Sequence, residues 1–129
     1  MTAPLRRLAL IGNSLPRRCG IATFTTDLQQ AIARSAAEVD TTIVAMTDQG
    51  NRYEYPSAVR FQINDGAPNE YEEAVEFLNA GSFDAVCLQH EFGIFGGDAG
   101  EYIVPLLARL RSPLVTTLHH PITKDRELE

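Results

Sequence analysis

Short apolar runs alternate with longer amphipathic stretches along most of the chain. The short runs are rich in aliphatic and β-branched side chains, and such runs predict the strands of a parallel sheet, which are buried on both faces. They cover residues 8–11, 41–46, 59–63, 84–88 and 114–118. The stretch 47–58, between the second and third runs, has no helical period and contains Gly50, Asn51 and Pro56, so it predicts a loop.

The first amphipathic stretch predicts a helix that starts at Gly20. Its apolar side chains recur at steps of three and four residues, so they share one face of the helix. These side chains are Ile21, Phe24, Leu28, Ala31 and Ile32. The preceding residues 14–19 contain Pro16, Arg17 and Arg18 and predict a loop.

The second amphipathic stretch opens with Asn69 and Glu72, which have the spacing of a capping box. Gly81 is typical of the end of a helix. The side chains predicted on the buried face of this helix are Tyr71, Ala74, Val75 and Leu78.

The third amphipathic stretch repeats the capping-box spacing with Asp98 and Glu101. Its apolar stripe consists of Ile103, Leu106, Leu107 and Leu110. Pro105 falls inside the stretch, so we expect a kink or a late start of the helix. The alternation of strands and helices predicts an α/β fold, a Rossmann-like three-layer domain with a mostly parallel sheet of about five or more strands.

Length, composition and charge narrow the class of protein further. The 129 residues are 44% hydrophobic and 22% charged, as in a single globular domain. We expect this domain over residues 1–121 and a polar tail or truncated linker over residues 122–129. The net charge of −6 argues against a general nucleic-acid surface. We see neither a signal peptide nor a transmembrane segment, so we expect a cytoplasmic protein with reduced Cys19 and Cys87.

In open α/β sheets, ligands bind beyond the carboxyl ends of the strands. This rule selects residues 13–23, 89–97 and 119–121. In the first segment, Gly20 lets a ligand approach the start of a helix, where anions are favoured, and Arg17 and Arg18 add positive charge. Neither GxGxxG nor a Walker A motif is present, which makes NAD or ATP binding a weak hypothesis.

The other two segments contribute polar side chains. Gln89, His90 and Glu91 directly follow a predicted buried strand, where unpaired polar groups are unfavourable. A structural helix start is as good an interpretation of them as a binding site. His119 follows the last strand, where it can bond a sugar hydroxyl, transfer a proton or serve as a structural histidine.

Two other chemistries have less support from the residues. His90, Glu91 and His119 could converge on a zinc ion, but no local ligand spacing favours that, and we expect no metal. Cys19, beside two arginines at the start of a helix, could be a reactive thiol, but we interpret it first as a small turn residue. The GxSxG elbow of a serine hydrolase is absent.

Taken together, these segments resemble the family 4 glycosyltransferases of the GT-B fold. The segment PRRCGIATFT (residues 16–25) resembles the first loop and helix of the family, with Cys19 and Gly20 where two glycines are common. QHEFGIFGG (residues 89–97) resembles the fourth-strand segment of a bacterial subgroup, and VTTLH (residues 115–119) is similar to the family's strand that ends in histidine. The resemblance covers about residues 6–121.

This resemblance implies the N-terminal, acceptor-side half of a retaining glycosyltransferase that uses a nucleotide sugar and no bound metal. The acceptor would be a saccharide, a lipid or a small molecule. The resemblance places His119 beside the reacting sugar as the catalytic residue. The donor diphosphate would lie against Arg18, Cys19 and Gly20. The residues implied on the acceptor side are Asn13, Gln89, His90, Glu91, Phe92 and Gly93.

Enzymes of this family have a second Rossmann-like domain across the cleft, and this chain stops at Glu129. We therefore expect the chain alone to be inactive, because positioning and charge stabilisation come from both walls. An exposed inter-domain face could support a homodimer. The alternative function is a non-catalytic sugar- or partner-binding module. A response-regulator-like domain is disfavoured, because Gly12, Asn13 and Ser14 supply no acidic cluster after the first strand.

Overall fold

A computed structural model of the protein describes residues 4–119 and has the predicted α/β architecture. The described residues form five strands and three α-helices in the predicted order. These are β1 (Arg7–Gly12), α1 (Gly20–Ser35), β2 (Asp40–Thr47), β3 (Val59–Asn64), α2 (Pro68–Ala80), β4 (Ala85–His90), α3 (Ile103–Arg109) and β5 (Leu114–Leu118). Two 3₁₀ turns, Phe92–Ile94 and Asp98–Gly100, connect β4 to α3. The predicted tail, residues 122–129, lies outside the described residues.

The five strands form one sheet in the order β3-β2-β1-β4-β5, with every pair parallel. β1 is central because residues 8–11 are apolar on both faces and fully buried. α1 packs on one face against Leu8, Leu10 and Ile43. α2 and α3 pack on the opposite face, where Ala9, Ile11 and other strand residues form the larger core. The fold is thus a three-layer, Rossmann-like domain, as expected.

The predicted buried face of α2 is confirmed. Tyr71, Ala74, Val75 and Leu78 are all buried in the larger core, and Gly81 is the C-cap residue. The capping box is wrong, because the N-cap is Ala67 and no side chain caps the helix. Pro68 starts the helix instead, a position where the missing N–H has no intrahelical partner to lose.

The start of α3 differs in a similar way. The chain forms the 3₁₀ turn Asp98–Gly100 before the helix, and neither Asp98 nor Glu101 is its N-cap residue. The helix begins at Ile103, so Pro105 lies in its first turn and the expected late start is confirmed. Ile103 and Leu106 are buried, while Leu107 and Leu110 are half-buried against the same core.

The predicted buried face of α1 is only partly right. Ile21 is buried, but the ring of Phe24 is 43% exposed, and Ala22, Thr25 and Thr26 are buried instead. The other predicted apolar residues of this face are half-buried, namely Leu28, Ala31 and Ile32. The first turns of α1 lie tightly against the end of β1, and only small side chains fit into that contact.

The two edges of the sheet differ in exposure. Every residue of β5 is exposed, whereas β3 has one buried and three half-buried residues. Arg60 of β3 also pairs with Asp40 at 3.6 Å. Within residues 4–119, the helices are too short or too polar to cross a membrane.

Candidate functional site

The candidate site lies where the carboxyl ends of β1 and β4 meet the start of α1. β1 and β4 are neighbours in the sheet, with Ile11 opposite Leu88. A Cβ atom at Gly12 would lie 2.9 Å from Thr25 Oγ1 and 3.1 Å from Gln89 Cβ. Glycine at position 12 therefore allows three segments that are distant in sequence to converge.

A short polar contact at this site joins Gln89 of β4 to His119, the residue that follows β5. Gln89 is 1% exposed, and its Oε1 lies 2.7 Å from Nε2 of the half-buried His119. Because an amide oxygen only accepts, Nε2 carries the proton and donates it, which leaves Nδ1 as an acceptor in the neutral ring. The Phe24 ring packs edge-on against the imidazole at 4.7 Å. Two contacts thus hold the ring of His119 in one orientation.

Strand geometry separates Gln89 from His90. Successive side chains of a strand point to opposite faces of the sheet. Gln89 meets His119 on the α1 side, whereas the ring of His90 packs on Phe95 with centroids 5.6 Å apart on the other side. The sequence places these two residues in one group, and the structure divides them between two faces.

The remaining residues of this segment lie beyond β4. Glu91 is exposed and precedes the turn Phe92–Ile94, and Gly93 within the turn is also exposed. Ile94 and Phe95 are 5% and 4% exposed and belong to the larger core. Apolar burial of these two side chains therefore anchors the segment.

Asn13 is buried after the end of β1, and its side-chain amide forms hydrogen bonds within the chain. Its Nδ2 donates to Cys19 Sγ at 3.1 Å, and its Oδ1 accepts from Arg17 at 3.2 Å. Arg17 also donates to the carbonyl of Met46 at 2.9 Å and lies 3.4 Å from Asp48. Asn13 and Arg17 therefore tie the loop after β1 to the end of β2.

Asp48 offsets the charge of Arg17. The hydroxyl of Tyr53 donates to Asp48 Oδ1 at 2.6 Å. This bond, aided by the Arg17 guanidinium, holds the pKa of the Asp48 carboxyl below its ordinary value. The sequence predicts that Arg17 and Arg18 attract an anion. In the structure Arg17 forms an ion pair with Asp48, whereas Arg18 is exposed.

Cys19 is the N-cap residue of α1. Its Sγ accepts from the backbone N–H of Ala22 at 3.3 Å as well as from Asn13. This geometry supports the interpretation of Cys19 as a small structural residue. The other free cysteine, Cys87, is half-buried, and burial raises the pKa of its thiol.

Gly20, the first residue of α1, faces open space. A Cβ atom built there would have no heavy atom within 4 Å apart from those of its chain neighbours and of the nearby helix backbone, and the residue is exposed. The fold therefore does not require glycine at position 20. An approaching ligand would find the start of a 16-residue helix unobstructed.

A buried hydroxyl lies beside Gly12 in the same contact region. Thr25 is fully buried, and its Oγ1 has no hydrogen-bond partner within the part of the chain that the structure describes. Neighbouring Thr26 Oγ1 accepts from the backbone N–H of Leu15 at 3.1 Å. Sequence analysis missed these residues because it followed only the apolar stripe of α1. Two consecutive threonines early in that helix were the available signal.

A separate cavity of about 520 Å³ lies between the starts of α2 and α3. Its lining residues are Pro68, Tyr71, Glu72, Glu101, Tyr102, Val104 and Pro105. Sequence analysis did not predict this cavity. The signal that could have found it is the pairing of a tyrosine and a proline near the starts of both helices.

Metal binding gains no support from the geometry. Among residues 4–119, no three His, Cys, Asp or Glu side chains are grouped closely enough to hold a metal ion. His90 and His119, two of the three ligands considered for zinc, lie on different faces of the sheet.

Comparisons of this chain with protein-family models, with curated proteins and with solved structures find no match. The fold class thus follows from the structure itself. The glycosyltransferase resemblance stays a prediction made from three sequence segments.

Proposed function

We propose that this domain is the acceptor-side half of a retaining glycosyltransferase that takes its sugar from a nucleotide-sugar donor. The observation that carries the proposal is the Gln89–His119 hydrogen bond beside the open start of α1. This bond orients the imidazole of His119 close to an unobstructed helix N-terminus, at the carboxyl ends of the strands. The acceptor would be a saccharide, a lipid or a small molecule.

In this proposal, the donor diphosphate lies at the start of α1. Helix N-termini favour anions because the first backbone N–H groups lack intrahelical partners and the helix dipole adds positive potential. Support comes from the open space at Gly20, because the packing of the fold does not explain why this residue is glycine. Exposed Arg18 adds a positive charge beside it, and Cys19 shapes the turn.

The sugar and the acceptor lie near His119. With Nε2 donating to Gln89, the neutral ring offers Nδ1 to a hydroxyl group of a ligand. Gln89 acts as a positioning residue, because its Oε1 is already occupied by this bond. Exposed Glu91 and Gly93, which lie one and three residues beyond the end of β4, then contact the acceptor.

Sugar transfer needs a second wall to position the donor, so we expect this domain by itself to bind ligands without turning them over. The proposal includes a cytoplasmic location, which the two free cysteines support. Turnover of a nucleotide sugar by the purified chain would contradict the half-site proposal.

The test is an amide chemical-shift titration of the ¹⁵N-labelled chain with UDP-glucose, GDP-mannose, UDP and maltose. We expect a nucleoside diphosphate to shift the amides of Gly20 and Ile21, and a saccharide to shift those of Glu91, Gly93 and His119. His119→Ala should abolish the saccharide shifts, while the distant exposed substitution Glu38→Gln should leave them unchanged. Saturating ligands that move none of these amides would overturn the proposal.

A second candidate function is a non-catalytic sugar- or partner-binding module. It is favoured by the engagement of Asn13 and Gln89 within the fold, which leaves His119 as the main group for chemistry. The two candidates differ in their response to the donor. Saccharide shifts without any shift at Gly20 from nucleotide sugars would favour the binding module.

A further inference from the structure

The cavity between the starts of α2 and α3 combines apolar walls with two carboxylates. Its volume of about 520 Å³ lies in the range of small-molecule sites. The segment around each helix start contributes a proline, a tyrosine and a glutamate to the lining, and α3 adds Val104. Because proline has no backbone N–H, neither Pro68 nor Pro105 can donate a hydrogen bond into the cavity.

The two tyrosine rings of the lining are held in place by their neighbours. The hydroxyl of Tyr71 is already occupied, since it donates to the carbonyl of Asp65 and accepts from the N–H of Gly96. The ring of Tyr102 meets that of Tyr71 edge-on, with centroids 5.9 Å apart. A Cβ atom at Gly96 would lie 2.9 Å from Tyr102 Cδ2, and one at Gly97 would lie 2.7 Å from its Cδ1. Both glycines therefore let the backbone lie against this ring and shape the cavity wall.

Three polar side-chain groups of the lining are available to a ligand. They are the hydroxyl of Tyr102 and the carboxylates of Glu72 and Glu101. Within residues 4–119, none of the three forms a hydrogen bond or an ion pair, and both glutamates are exposed. A ligand that fills the cavity therefore meets apolar and aromatic walls, one hydroxyl and two negative charges.

The charge around the cavity has one sign. Between Arg60 and Arg109 the sequence contains no lysine or arginine, whereas nine residues are Asp or Glu. This stretch includes all of α2 and the segment that leads into α3. Because the lining itself carries only negative charge, the potential at the cavity favours a cation over an anion.

We propose that this cavity binds a small organic ammonium ion with an apolar body. The body packs between the prolines and the tyrosine rings, and the ammonium group lies beside the ring and hydroxyl of Tyr102, close to Glu72 and Glu101. Aromatic rings attract such cations through their negative faces, and desolvation in a cavity strengthens the attraction. A metal ion fits less well, because no group of three metal-ligating side chains exists among the described residues.

The proposed ammonium site does not depend on the proposed glycosyl transfer. The cavity lies on the side of the sheet that α2 and α3 cover, whereas Gln89 and His119 meet on the α1 side. Loss of sugar or nucleotide binding would therefore leave the ammonium site untouched, and the two proposals can fail separately.

The first test compares three compounds that share one aromatic body and differ in charge. These are 2-phenylethylamine, 2-phenylethanol and 3-phenylpropanoate, titrated near neutral pH into the ¹⁵N-labelled chain. We expect the amine to shift the amides of Glu72, Glu101 and Val104, with a dissociation constant of about 1 mM or below. The alcohol should bind roughly tenfold more weakly and the carboxylate more weakly still. Equal binding of all three compounds, or no shift with the amine, would overturn the proposal.

The second test removes one negative charge at a time. Glu72→Gln and Glu101→Gln should each weaken binding of the amine roughly fivefold and leave that of the alcohol unchanged. Glu73→Gln is the matched control, because Glu73 is exposed on the same helix but does not line the cavity, so binding should stay within about twofold. If Glu73→Gln weakens binding as much as the other two variants, the charge acts as a general field and the assigned site is wrong.

The third test places a cation of the chain at the cavity. Val104 lines the cavity and is 58% exposed, so the fold should tolerate a longer side chain there. Val104→Lys supplies its own ammonium group and should reduce binding of 2-phenylethylamine at least tenfold, whereas Val104→Gln should keep it within about threefold. Circular dichroism of each variant checks the fold. Unchanged amine binding by a folded Val104→Lys chain would refute the site.

Discussion

The loop after β1 and the loop after β4 both lead from a strand towards a helix through glycine, yet different contacts hold them in place. The loop after β4 is anchored by apolar burial: Ile94 and Phe95 enter the core, and Gly96 packs against the backbone of Asp65. The loop after β1 is held by polar side chains, with Asn13 and Arg17 at its centre. It leads to Gly20, where an added Cβ atom would face open space.

This difference separates a structural glycine from one that is free for function. A Cβ atom at Gly96 would lie 1.9 Å from the carbonyl oxygen of Asp65, a contact that the backbone cannot accommodate without moving. At Gly20 the same atom would meet open space. The two motifs look alike in sequence, so the reason for each glycine is visible only from its surroundings. Four substitutions test this comparison.

The largest effect is expected from Phe95→Ala. Phe95 is 4% exposed in the core, so its truncation leaves a cavity and should lower the free energy of unfolding by about 4 kcal/mol. Phe24→Ala is the matched control, because Phe24 is 43% exposed, and its loss should be below about 1 kcal/mol. Urea unfolding followed by circular dichroism measures both values. Equal losses would contradict the difference in anchoring.

Gly96→Ala should have the next largest effect. The added methyl group must displace the backbone of Asp65 or the ring of Tyr102, which we expect to lower the free energy of unfolding by about 3 kcal/mol. The same urea titration measures it. A stability within error of the unmodified chain would show that this loop is not packed as described.

Tyr71→Phe should have a smaller effect. The Tyr71 hydroxyl donates to the carbonyl of Asp65 at 2.8 Å and accepts from the N–H of Gly96 at 3.0 Å. Removing it leaves two backbone groups without this partner and should lower the free energy of unfolding by about 2 kcal/mol.

The same substitution should change the alkaline stability. Burial raises the pKa of Tyr71 from its ordinary 10.0 to about 12. The neutral phenol therefore stabilises the fold fully at pH values below its ordinary pKa of 10.0. This contribution is lost as the pH rises towards about 12, the pKa in the folded protein. As the pH rises from 10.0 to about 12, Tyr71→Phe should therefore lose less stability than the unmodified chain. Parallel pH curves for the two proteins would refute this.

Gly20→Ala should have the smallest effect on stability, within about 0.5 kcal/mol, because the methyl group meets no other atom and alanine favours a helix. If a diphosphate approaches this backbone, as proposed, the same change should weaken UDP-glucose binding roughly tenfold. Calorimetric titration alongside urea unfolding separates the two effects. Unchanged binding would leave Gly20 without the proposed role.

The strands and the second helix were predictable because hydrophobic periodicity reports which residues are buried. All four predicted buried residues of α2 are buried, and β5 has its predicted bounds. The buried face of α1 was mispredicted because its first turns contact the end of β1 through Thr25 and Thr26, where close backbone approach selects small side chains over apolar ones. Both capping boxes failed, because Ala67 and Tyr102 are the N-cap residues and cap neither helix through a side chain.

The sequence by itself determined the order of elements, the α/β class and the segments at the carboxyl ends of the strands, because these depend on patterns within a few residues. Only the tertiary structure decided which polar groups meet there. Gln89 and His119 are 30 residues apart, and Arg17 reaches Met46 across 29 residues. Such pairings depend on which strands are neighbours and on which face each side chain occupies, and no local pattern encodes either.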